Sequence, residues 1–412
     1  MDLSADSERF LACYISVDEE QRMRIDTFRM ERMQCTYENE VDYNLSESGV
    51  LPLKIEELLS PEQMKELASW SLKYAPSNGS PELRENIAQW YPGATADHVT
   101  VVNGGAEANY MVLWSMLEKT DQAAVMLPNY LQTWGLARAY AGRAEAIWLK
   151  ERRENGKLRW ALDLESLERA VSKKTRLIVI TNPNNPTGGV LTEAEMDAVV
   201  RVARRANAWL LADEIYRGAE LQGELTPSFW GRYDKLLITS GLSKAFGLPG
   251  LRIGWIVGPP KMIARLCSYH DYLTLTPTYI SERLARIALE PARRDQLIER
   301  TRTILRRQLP RLEAWIHKHD NIFTYIPPVA GAIAYVRYKL PLSSSALMNR
   351  VMKEQSVLIM PGDFFGMGKY LRLGYGYDLD YTLRGMARVD EVLNALRSKT
   401  RPQVQAVQSG AA

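Results

Sequence analysis

The sequence predicts an α/β fold: a large domain with a mostly parallel sheet and helices on both faces, and a smaller α+β domain beside it. Short apolar runs that do not alternate with polar residues recur along the chain, as in residues 176–180 and 208–212. Such runs are typical of parallel strands that are buried on both faces. A helical segment lies between these two runs, so they form a strand-helix-strand unit with an expected right-handed crossover.

The chain length predicts two domains. A single hydrophobic core rarely grows beyond about 250–300 residues, and this chain has 412. The predicted domains are residues 51–290 for the large α/β domain, residues 1–50 with 291–399 for the small one, and residues 400–412 as a small, polar, disordered tail.

Several local signals place helices and strands in the large domain. Ser80 can cap a helix that starts at Pro81, and Thr192 with Glu195 forms a capping box before a helix that runs to about Ala206. The predicted strands cover residues 99–102, 123–127, 145–149, 176–180, 208–212, 235–239 and 253–257, with an Asn-Gly turn at 155–156.

The two ends of the chain are predicted mostly from apolar periodicity. The predicted helices here are residues 1 to about 40, residues 53–74 with a break at Pro61, and residues 281–319, 343–355 and 379–398. The predicted extended segments are residues 41–50, 322–325, 332–337, 357–360 and 370–373.

Composition excludes several classes of partner. The net charge is +3, no dense Lys/Arg block is present, and 46% of the residues are hydrophobic. These values argue against nucleic acid or an anionic membrane as the main partner. No apolar run of about 18 residues and no signal peptide are apparent. Three cysteines without a CxxC pair favour a reducing compartment, so we expect a cytoplasmic protein.

Histidines do not predict a metal site. Only four are present, and His317 and His319 are two residues apart in a predicted helix. This spacing sends the two side chains to different faces. We therefore predict no metal ligands.

Polar residues that can carry chemistry follow the predicted strands. Lys244 comes after the strand at 235–239, and Arg252 follows it across a turn rich in Gly and Pro. A lysine at the end of a buried strand is costly unless it is paired or covalently used. Taken alone, this stretch is also compatible with a lysine in a surface turn.

A second signal is the segment Asn-Gly-Gly-Ala-Glu at 103–107, between a strand and a helix start. Free backbone N–H groups and the positive helix end make such a segment an anion site, although ordinary strand-helix turns look similar. A lysine nucleophile, an aspartate and a phosphate cradle are together what pyridoxal 5'-phosphate (PLP) requires. No plausible Ser-His or Cys-His pair competes with this interpretation.

Three motifs carry a family resemblance. They are Thr-Asn-Pro-Asn-Asn-Pro-Thr-Gly at 181–188, Ala-Asp-Glu-Ile-Tyr at 212–216, and Ser-Lys followed by seven residues and Arg252. In type, order and spacing they resemble the fold-type I PLP enzymes of the class I/II aminotransferase family, the aspartate aminotransferase superfamily. The resemblance covers about residues 40–395.

The resemblance implies roles for individual residues. Lys244 would form the internal aldimine and then act as general base at the substrate Cα, and Asp213 would pair with the pyridine nitrogen. Tyr216 and Asn185 would hydrogen-bond the ring 3-oxygen, with Asn185 also approaching the substrate carboxylate. Tyr130 would stack on the ring, with a core aromatic as the alternative.

The phosphate and substrate contacts are implied in the same way. Arg372 would clamp the substrate α-carboxylate, with a solvated strand arginine as the alternative, and Gly49 lies in the segment that covers the substrate. Tyr74 would reach the phosphate of a neighbouring subunit, which implies a homodimer with shared active sites. The implied phosphate contacts in the same chain are Gly105, Ala106, Glu107, Ser243 and Arg252.

Two departures leave the reaction open. Position 241 is glycine where many relatives carry serine, and residues 46–50 read Ser-Glu-Ser-Gly-Val instead of G-x-P-D. The Ser-Gly-Val stretch at 48–50, with the Gly-Leu-Pro-Gly-Leu-Arg run at 247–252, resembles capreomycidine synthase-like enzymes, which use the cofactor for elimination and cyclisation. The Gly-Leu-Pro-Gly run also resembles aminocyclopropane-carboxylate synthases.

The first hypothesis is therefore an aminotransferase that uses an α-amino acid and a keto acid. The second is a PLP enzyme of elimination, replacement or cyclisation, and the third is a non-catalytic binding protein. The presence of Lys244, Asp213 and Arg252 argues against the third. No arginine near residues 274–279 would read an acidic side chain, which disfavours aspartate as the donor.

Overall fold

The computed structural model describes residues 25–400. Its strands in chain order are β1 (Tyr43–Asn44), β2 (Val99–Val102), β3 (Gln122–Leu127), β4 (Arg143–Glu154), β5 (Lys157–Leu162), β6 (Thr175–Thr181), β7 (Trp209–Asp213), β8 (Leu236–Gly241), β9 (Gly254–Val257), β10 (Phe323–Tyr325), β11 (Ile333–Tyr338), β12 (Val357–Leu358), β13 (Met360–Pro361) and β14 (Tyr370–Gly374).

The α-helices are α1 (Arg29–Tyr37), α2 (Ile55–Leu58), α3 (Pro61–Leu67), α4 (Pro81–Ala88), α5 (Gly105–Met116), α6 (Gln132–Tyr140), α7 (Leu164–Ala170), α8 (Glu193–Ala206), α9 (Pro260–His270), α10 (Tyr279–Ala288), α11 (Pro291–Lys318), α12 (Ser344–Gln355) and α13 (Leu379–Thr400). The predicted caps of α4 and α8 are confirmed, since Ser80 accepts from the N–H of Leu83 and Thr192 from that of Glu195.

The large sheet has eight strands in the order β2-β9-β8-β7-β6-β3-β4-β5. Strands β4, β3, β6, β7 and β8 run parallel to one another. At the two ends of this set, β5 runs antiparallel to β4, and β9 runs antiparallel to both β8 and β2. In this register Thr181 lies opposite Asp213, and Asp213 lies opposite Thr239. The carboxyl ends of β6, β7 and β8 therefore meet at one edge.

Helices cover both faces of this sheet, which confirms the predicted α/β fold. Ile178 and Ile180 of β6 pack in the core that contains Met196 and Val199 of α8. Leu177 and Val179 point the other way, into the core that contains α5. Because side chains alternate across a strand, a sheet that is buried on both faces needs a continuous apolar run, as the sequence has.

A smaller antiparallel sheet is built from residues beyond 320, in the order β10-β11-β14-β13. Strand β1 pairs with β12 in parallel, with Tyr43 opposite Val357. The segment before residue 50 is thus tied to the C-terminal part of the chain. The domain boundaries themselves stay a prediction.

The structure corrects several predicted elements. Residues 53–74 form only α2 and α3, separated at Pro61 as expected, and no helix is present between 68 and 80, a stretch that contains Pro76 and Gly79. The predicted helix at 281–319 is two helices, α10 and α11, because Pro291 cannot continue α10. Residues 357–360 belong to two strands in different sheets.

Other elements were missed or lie beyond the described residues. The sequence prediction lacked β5, α7 and α9. Strand β4 is longer than expected because it forms a hairpin with β5 across Asn155 and Gly156, whose φ angles of 49° and 78° suit the tight turn. Of the predicted helix at residues 1 to about 40, the structure has α1, and residues 1–24 lie outside the described residues. Of the predicted tail at 400–412, Thr400 is the last residue of α13 and the rest also lies outside the described residues. Between residues 25 and 400, no helix is both long and apolar enough to cross a membrane.

Candidate active site

The predicted site residues of the parallel strands lie at the shared carboxyl edge of the sheet. Asp213 is the last residue of β7, Lys244 follows the end of β8 by three positions, and Asn185 lies in the loop after β6. This placement follows from the parallel register, since each strand delivers its C-terminal loop to the same edge.

Lys244 is contacted by the segment that follows β1. Its Nζ donates a hydrogen bond to Ser48 Oγ over 2.9 Å. A Cβ added at Gly49 would lie 3.9 Å from Lys244 Cδ and 3.5 Å from the Ser243 carbonyl oxygen, so Gly49 packs along the lysine stem. Ser48 was not among the predicted site residues, although the unusual composition of residues 46–50 pointed to this segment.

Asp213 is buried and receives two hydrogen bonds. The N–H of Ile215 donates to Oδ1 over 3.1 Å, and Asn109 Nδ2 donates to Oδ2 over 2.9 Å. Thr239 Oγ1 donates in turn to Asn109 Oδ1 over 2.7 Å. Burial raises the pKa of Asp213, and the bonds from Asn109 and Ile215 oppose that rise. Asn109 and Thr239 were not predicted from the sequence.

The start of α5 forms a cradle that only glycines allow. Gly104 has a φ of 94°, and a Cβ added there would lie 2.5 Å from Arg252 Nη2. A Cβ on Gly254 would lie 2.4 Å from the Gly104 carbonyl carbon. Arg252 Nη1 also contacts Ser243 Oγ at 3.5 Å. A guanidinium beside the free N–H groups of a helix start suits a phosphate.

Glu107 uses its side chain within the protein. Its carboxylate accepts hydrogen bonds from the N–H of Asn103 and from Thr274 Oγ1, the latter over 2.7 Å, and lies 3.7 Å from His270 Nε2. Burial would raise its pKa, but the bonds from His270, Thr274 and Asn103 hold the pKa below its ordinary value. In this first turn, Gly105, Ala106 and Glu107 thus offer backbone N–H groups to an anion.

Position 241 has no room for a serine side chain. A Cβ there would lie 2.8 Å from the Ile253 carbonyl oxygen and 3.1 Å from Gly254 Cα, both backbone atoms. Ser240 and Ser243, which flank Gly241, are buried. The departure noted in the sequence is therefore matched by the packing of β8 against the residues that precede and begin β9.

Arg372 in β14 is 1% exposed, so it is not a solvated strand arginine. Its Nη1 donates to Asn185 Oδ1 over 3.0 Å, and its Nη2 donates to the Ser46 carbonyl oxygen. Met30 Sδ lies 3.9 Å from Nη1, and the ring of Phe365 lies 5.3 Å from the guanidinium carbon. Burial lowers the pKa of Arg372, and Tyr216 and Glu47 oppose this effect.

The side chain of Tyr130 packs against the N-terminal end of α1. Its hydroxyl donates to Glu31 Oε1 over 2.9 Å, and its ring meets Phe28 edge to face at 4.8 Å between centroids. Burial, with the neighbouring Glu31, raises the pKa of Tyr130. The contacts of Glu31 and Phe28 with Tyr130 were not foreseen from the sequence.

Tyr216 and Tyr74 differ from the other predicted site residues in their hydrogen bonding. Tyr216 is 3% exposed, and its hydroxyl has no hydrogen-bond partner among residues 25–400. Tyr74 is 80% exposed, and no hydrogen bond joins it to the other site residues in the described part of the chain. The structure thus brings the remaining predicted residues together and leaves Tyr74 on the surface.

The residues at this edge fit PLP. A glycine-lined cradle with a guanidinium suits its phosphate, and the lysine suits its aldehyde. The buried carboxylate suits its ring nitrogen, and the unpartnered hydroxyl of Tyr216 suits its 3-oxygen.

The model of the family described as aminotransferase class I and II matches residues 42–388. The chain belongs to this family. The match confirms the predicted family, the enzyme class and the PLP cofactor.

Individual relatives include both aminotransferases and a synthase. The capreomycidine synthase of Streptomyces vinaceus is 30% identical over 354 residues, which is 85% of this chain and 89% of that protein. An aspartate aminotransferase of Streptomyces avermitilis is 26% identical, over 78% of this chain and 82% of that protein. The predicted likeness to capreomycidine synthase-like members is confirmed.

Solved structures include an aminotransferase and a cyclase. A PLP-dependent aminotransferase from Streptococcus suis aligns with a TM-score of 0.83 and 29% identity, over 90% of this chain and 99% of that chain. The PLP-dependent cyclase OrfR aligns with a TM-score of 0.79 and 24% identity, over 93% of this chain and all of that one. At this identity, the likeness to OrfR shows the fold alone.

Proposed function

We propose that this enzyme removes the Cα proton of an α-amino acid and that the main outcome is transamination with a keto acid. The observation that carries the proposal is that Lys244 and Asp213 lie at the carboxyl edge of the large sheet, and that Arg372 of the small sheet meets this edge through its hydrogen bond to Asn185. In this arrangement an amine base, a buried carboxylate and a carboxylate-binding guanidinium can act on a single small substrate.

Each residue has a separate task. PLP, when bound, withdraws electrons from the substrate Cα and so makes loss of its proton feasible. Asp213 would pair with the ring nitrogen and favour its protonated form, and Tyr216 with Asn185 would hold the ring 3-oxygen. Arg372 binds the α-carboxylate in a fork, which orients the Cα–H bond toward the base. Lys244 Nζ takes and returns that proton.

A cyclisation or elimination is the second candidate. Residues 46–50 depart from the aminotransferase pattern, and in this segment Ser48 bonds Lys244 directly. The relative that is 30% identical is a capreomycidine synthase. Both outcomes begin with the same proton transfer by Lys244, so they differ only in the later steps of the reaction.

A test uses purified enzyme, a panel of α-amino acids and no keto acid. Transamination predicts one equivalent of keto acid and conversion of the bound cofactor to its amine form. Elimination or cyclisation predicts repeated turnover, with the original visible spectrum restored.

The variant Lys244→Ala tests the role of Lys244 in this proton transfer. We expect it to lose at least about a thousandfold in the Cα proton exchange rate. A visible band of covalently attached cofactor in this variant, without any added amine, would refute the role of Lys244.

We further propose a homodimer in which Tyr74 completes the site of the partner subunit. The neighbouring side chains Leu72 and Tyr74 are 83% and 80% exposed, which suits an interface. Mixing inactive Lys244→Ala with inactive Tyr74→Ala protein should restore up to about a quarter of the activity, since mixed dimers contain one intact site. No restoration of activity in verified mixed dimers would contradict the shared site.

The cytoplasmic location of the protein stays a prediction.

A further inference from the structure

Asn109 is a buried amide in an otherwise apolar part of α5. It is 3% exposed, and its neighbours Ala108, Met111 and Val112 are fully buried in the core between α5 and the sheet. A buried amide lowers stability unless its donors and acceptor are satisfied. Its place in this helix therefore requires a reason other than packing.

The bonds of Asn109 set its direction. Thr239 Oγ1 donates to its Oδ1 over 2.7 Å, so its Nδ2 faces Asp213 Oδ2 at 2.9 Å. The reverse orientation would set the amide oxygen against a carboxylate oxygen. Among residues 25–400, Asn109 is the one side chain that donates to Asp213, the other donor being the backbone N–H of Ile215.

The helix that carries Asn109 also carries the phosphate cradle. Gly105 begins α5, and Asn109 follows four residues later, so the two lie on the same face, one turn apart. Thr239 lies opposite Asp213 in the pairing of β7 with β8. One helix and two adjacent strands thus fix both the cradle and the carboxylate.

We propose that Asn109 is a positioning residue that, held by Thr239, orients the Asp213 carboxylate toward the pyridine nitrogen of PLP. The inference rests on the placement of PLP proposed above. Burial favours the neutral form of Asp213, and the bond from Asn109 is the strongest influence that raises the population of the charged form. A charged, oriented carboxylate is what a protonated ring nitrogen needs.

The test compares PLP with its analogue in which C–H replaces the ring nitrogen. Affinities of both are measured for wild type, for Asn109→Leu and for the control Ser115→Ala. The control removes another buried polar group of α5, a hydroxyl whose one hydrogen bond among residues 25–400 goes to the Val112 carbonyl oxygen of the same helix. Asn109→Leu should weaken PLP by about tenfold and the analogue by less than about twofold. Ser115→Ala should change neither by more than about twofold.

The outcomes separate the inference from the proposed function. Equal weakening of PLP and the analogue by Asn109→Leu would make Asn109 merely structural, and no weakening would also overturn the inference. A wild type that binds the two molecules equally would instead overturn the role of Asp213 at the ring nitrogen.

A second variant covers the case in which Asn109→Leu does not fold. Thr239→Val leaves the Asn109–Asp213 pair in place, and it should still weaken PLP binding selectively, by about threefold. Equal effects of Thr239→Val on both molecules would again overturn the inference.

Discussion

The site has two sides that are built in different ways. The cofactor wall, formed by Gly104, Gly105, Asp213, Lys244 and Arg252, comes from the ends of neighbouring strands and one helix of the large sheet. The substrate wall, formed by Glu31, residues 46–49 and Arg372, comes from segments far apart in sequence. Arg372 and Met30 are separated by 342 positions, and Arg372 and Ser46 by 326.

The difference shows which part of the molecule can vary the reaction. The cofactor wall rests on strands that are buried on both faces, so its residues cannot move without disturbing two cores. In the substrate wall, Arg372 is fixed in β14 between β11 and β13, whereas residues 46–49 form no strand and join the C-terminal part through the short β1–β12 pairing, a few backbone bonds and the bond from Arg372 to the Ser46 carbonyl oxygen. Changes in the substrate wall can therefore alter specificity or outcome while PLP remains bound in the same way.

The largest expected effect comes from Asp213→Asn, which tests the cofactor wall. We expect the Cα proton exchange rate to fall about a thousandfold, with little change in the substrate dissociation constant. Because burial raises the folded pKa of Asp213, its contribution to stability is complete below the unfolded pKa and is lost as pH rises through the folded pKa. The charged residue therefore costs stability at pH 7.

The asparagine variant of the apoprotein should unfold about 1–3 °C higher than wild type at pH 7. This gap in unfolding temperature should narrow on acidification toward about pH 4, because the unfolded pKa of aspartate is about 3.9 and the carboxyl approaches its neutral form in both the folded and the unfolded state. Thermal unfolding between pH 4 and pH 8 measures this. A gap that widens at low pH would show that Asp213 is stabilised in its charged form by the apoprotein.

A smaller effect is expected from Arg372→Lys, which tests the substrate wall. A lysine cannot make the forked contact, so the KM of the amino acid should rise about a hundredfold while PLP affinity changes by less than about twofold. The matched control is Arg337→Lys in the adjacent strand β11, whose side chain is 45% exposed and pairs with Glu151 at 3.5 Å. If Arg372→Lys lowered PLP affinity by the same factor by which it raises the KM of the amino acid, the two walls would not be separable.

The smallest effect is expected from Gly241→Ser, which introduces the residue that the family resemblance led us to expect. Because the added Cβ would meet the backbone at 2.8 Å, the unfolding free energy should fall by about 1–3 kcal/mol, and PLP should bind several-fold more weakly. Gly250→Ser is the control, since a Cβ there meets nothing within 4 Å. Tighter PLP binding by Gly241→Ser would show that the strand can shift and that the cofactor wall is adaptable.

The two walls also differ in how far the sequence predicts them. Lys244, Asp213 and the cradle were placed correctly at one edge because each follows a short apolar strand, which is a local signal. The contact of Ser48 with Lys244 spans 196 positions, and no local pattern encodes it. Asn109 was missed because a single polar residue in an apolar helix resembles a tolerated exception until its bond to Asp213 is seen.

The fold shows the same division. Strands β6 and β7 were predicted within one residue because both of their faces are buried, whereas the span of residues 281–319 was taken as one helix. Periodicity continues across Leu289 and Glu290, so only Pro291 indicated the break. Residues 357–360 formed one predicted strand, since nothing local reveals that their pairing partners change between Leu358 and Met360.

The pairing of β1 with β12 has a consequence for synthesis on the ribosome. Residues 43 and 44 are made early, but their partners at 357 and 358 are made only after more than three hundred further residues. The strands of the large sheet can pair while the nascent chain grows, whereas the hydrogen bond to the Ser46 carbonyl oxygen can form only after Arg372 has been synthesised. A chain that terminates before residue 357 would therefore keep every strand of the large sheet and lack both β12, the partner of β1, and Arg372.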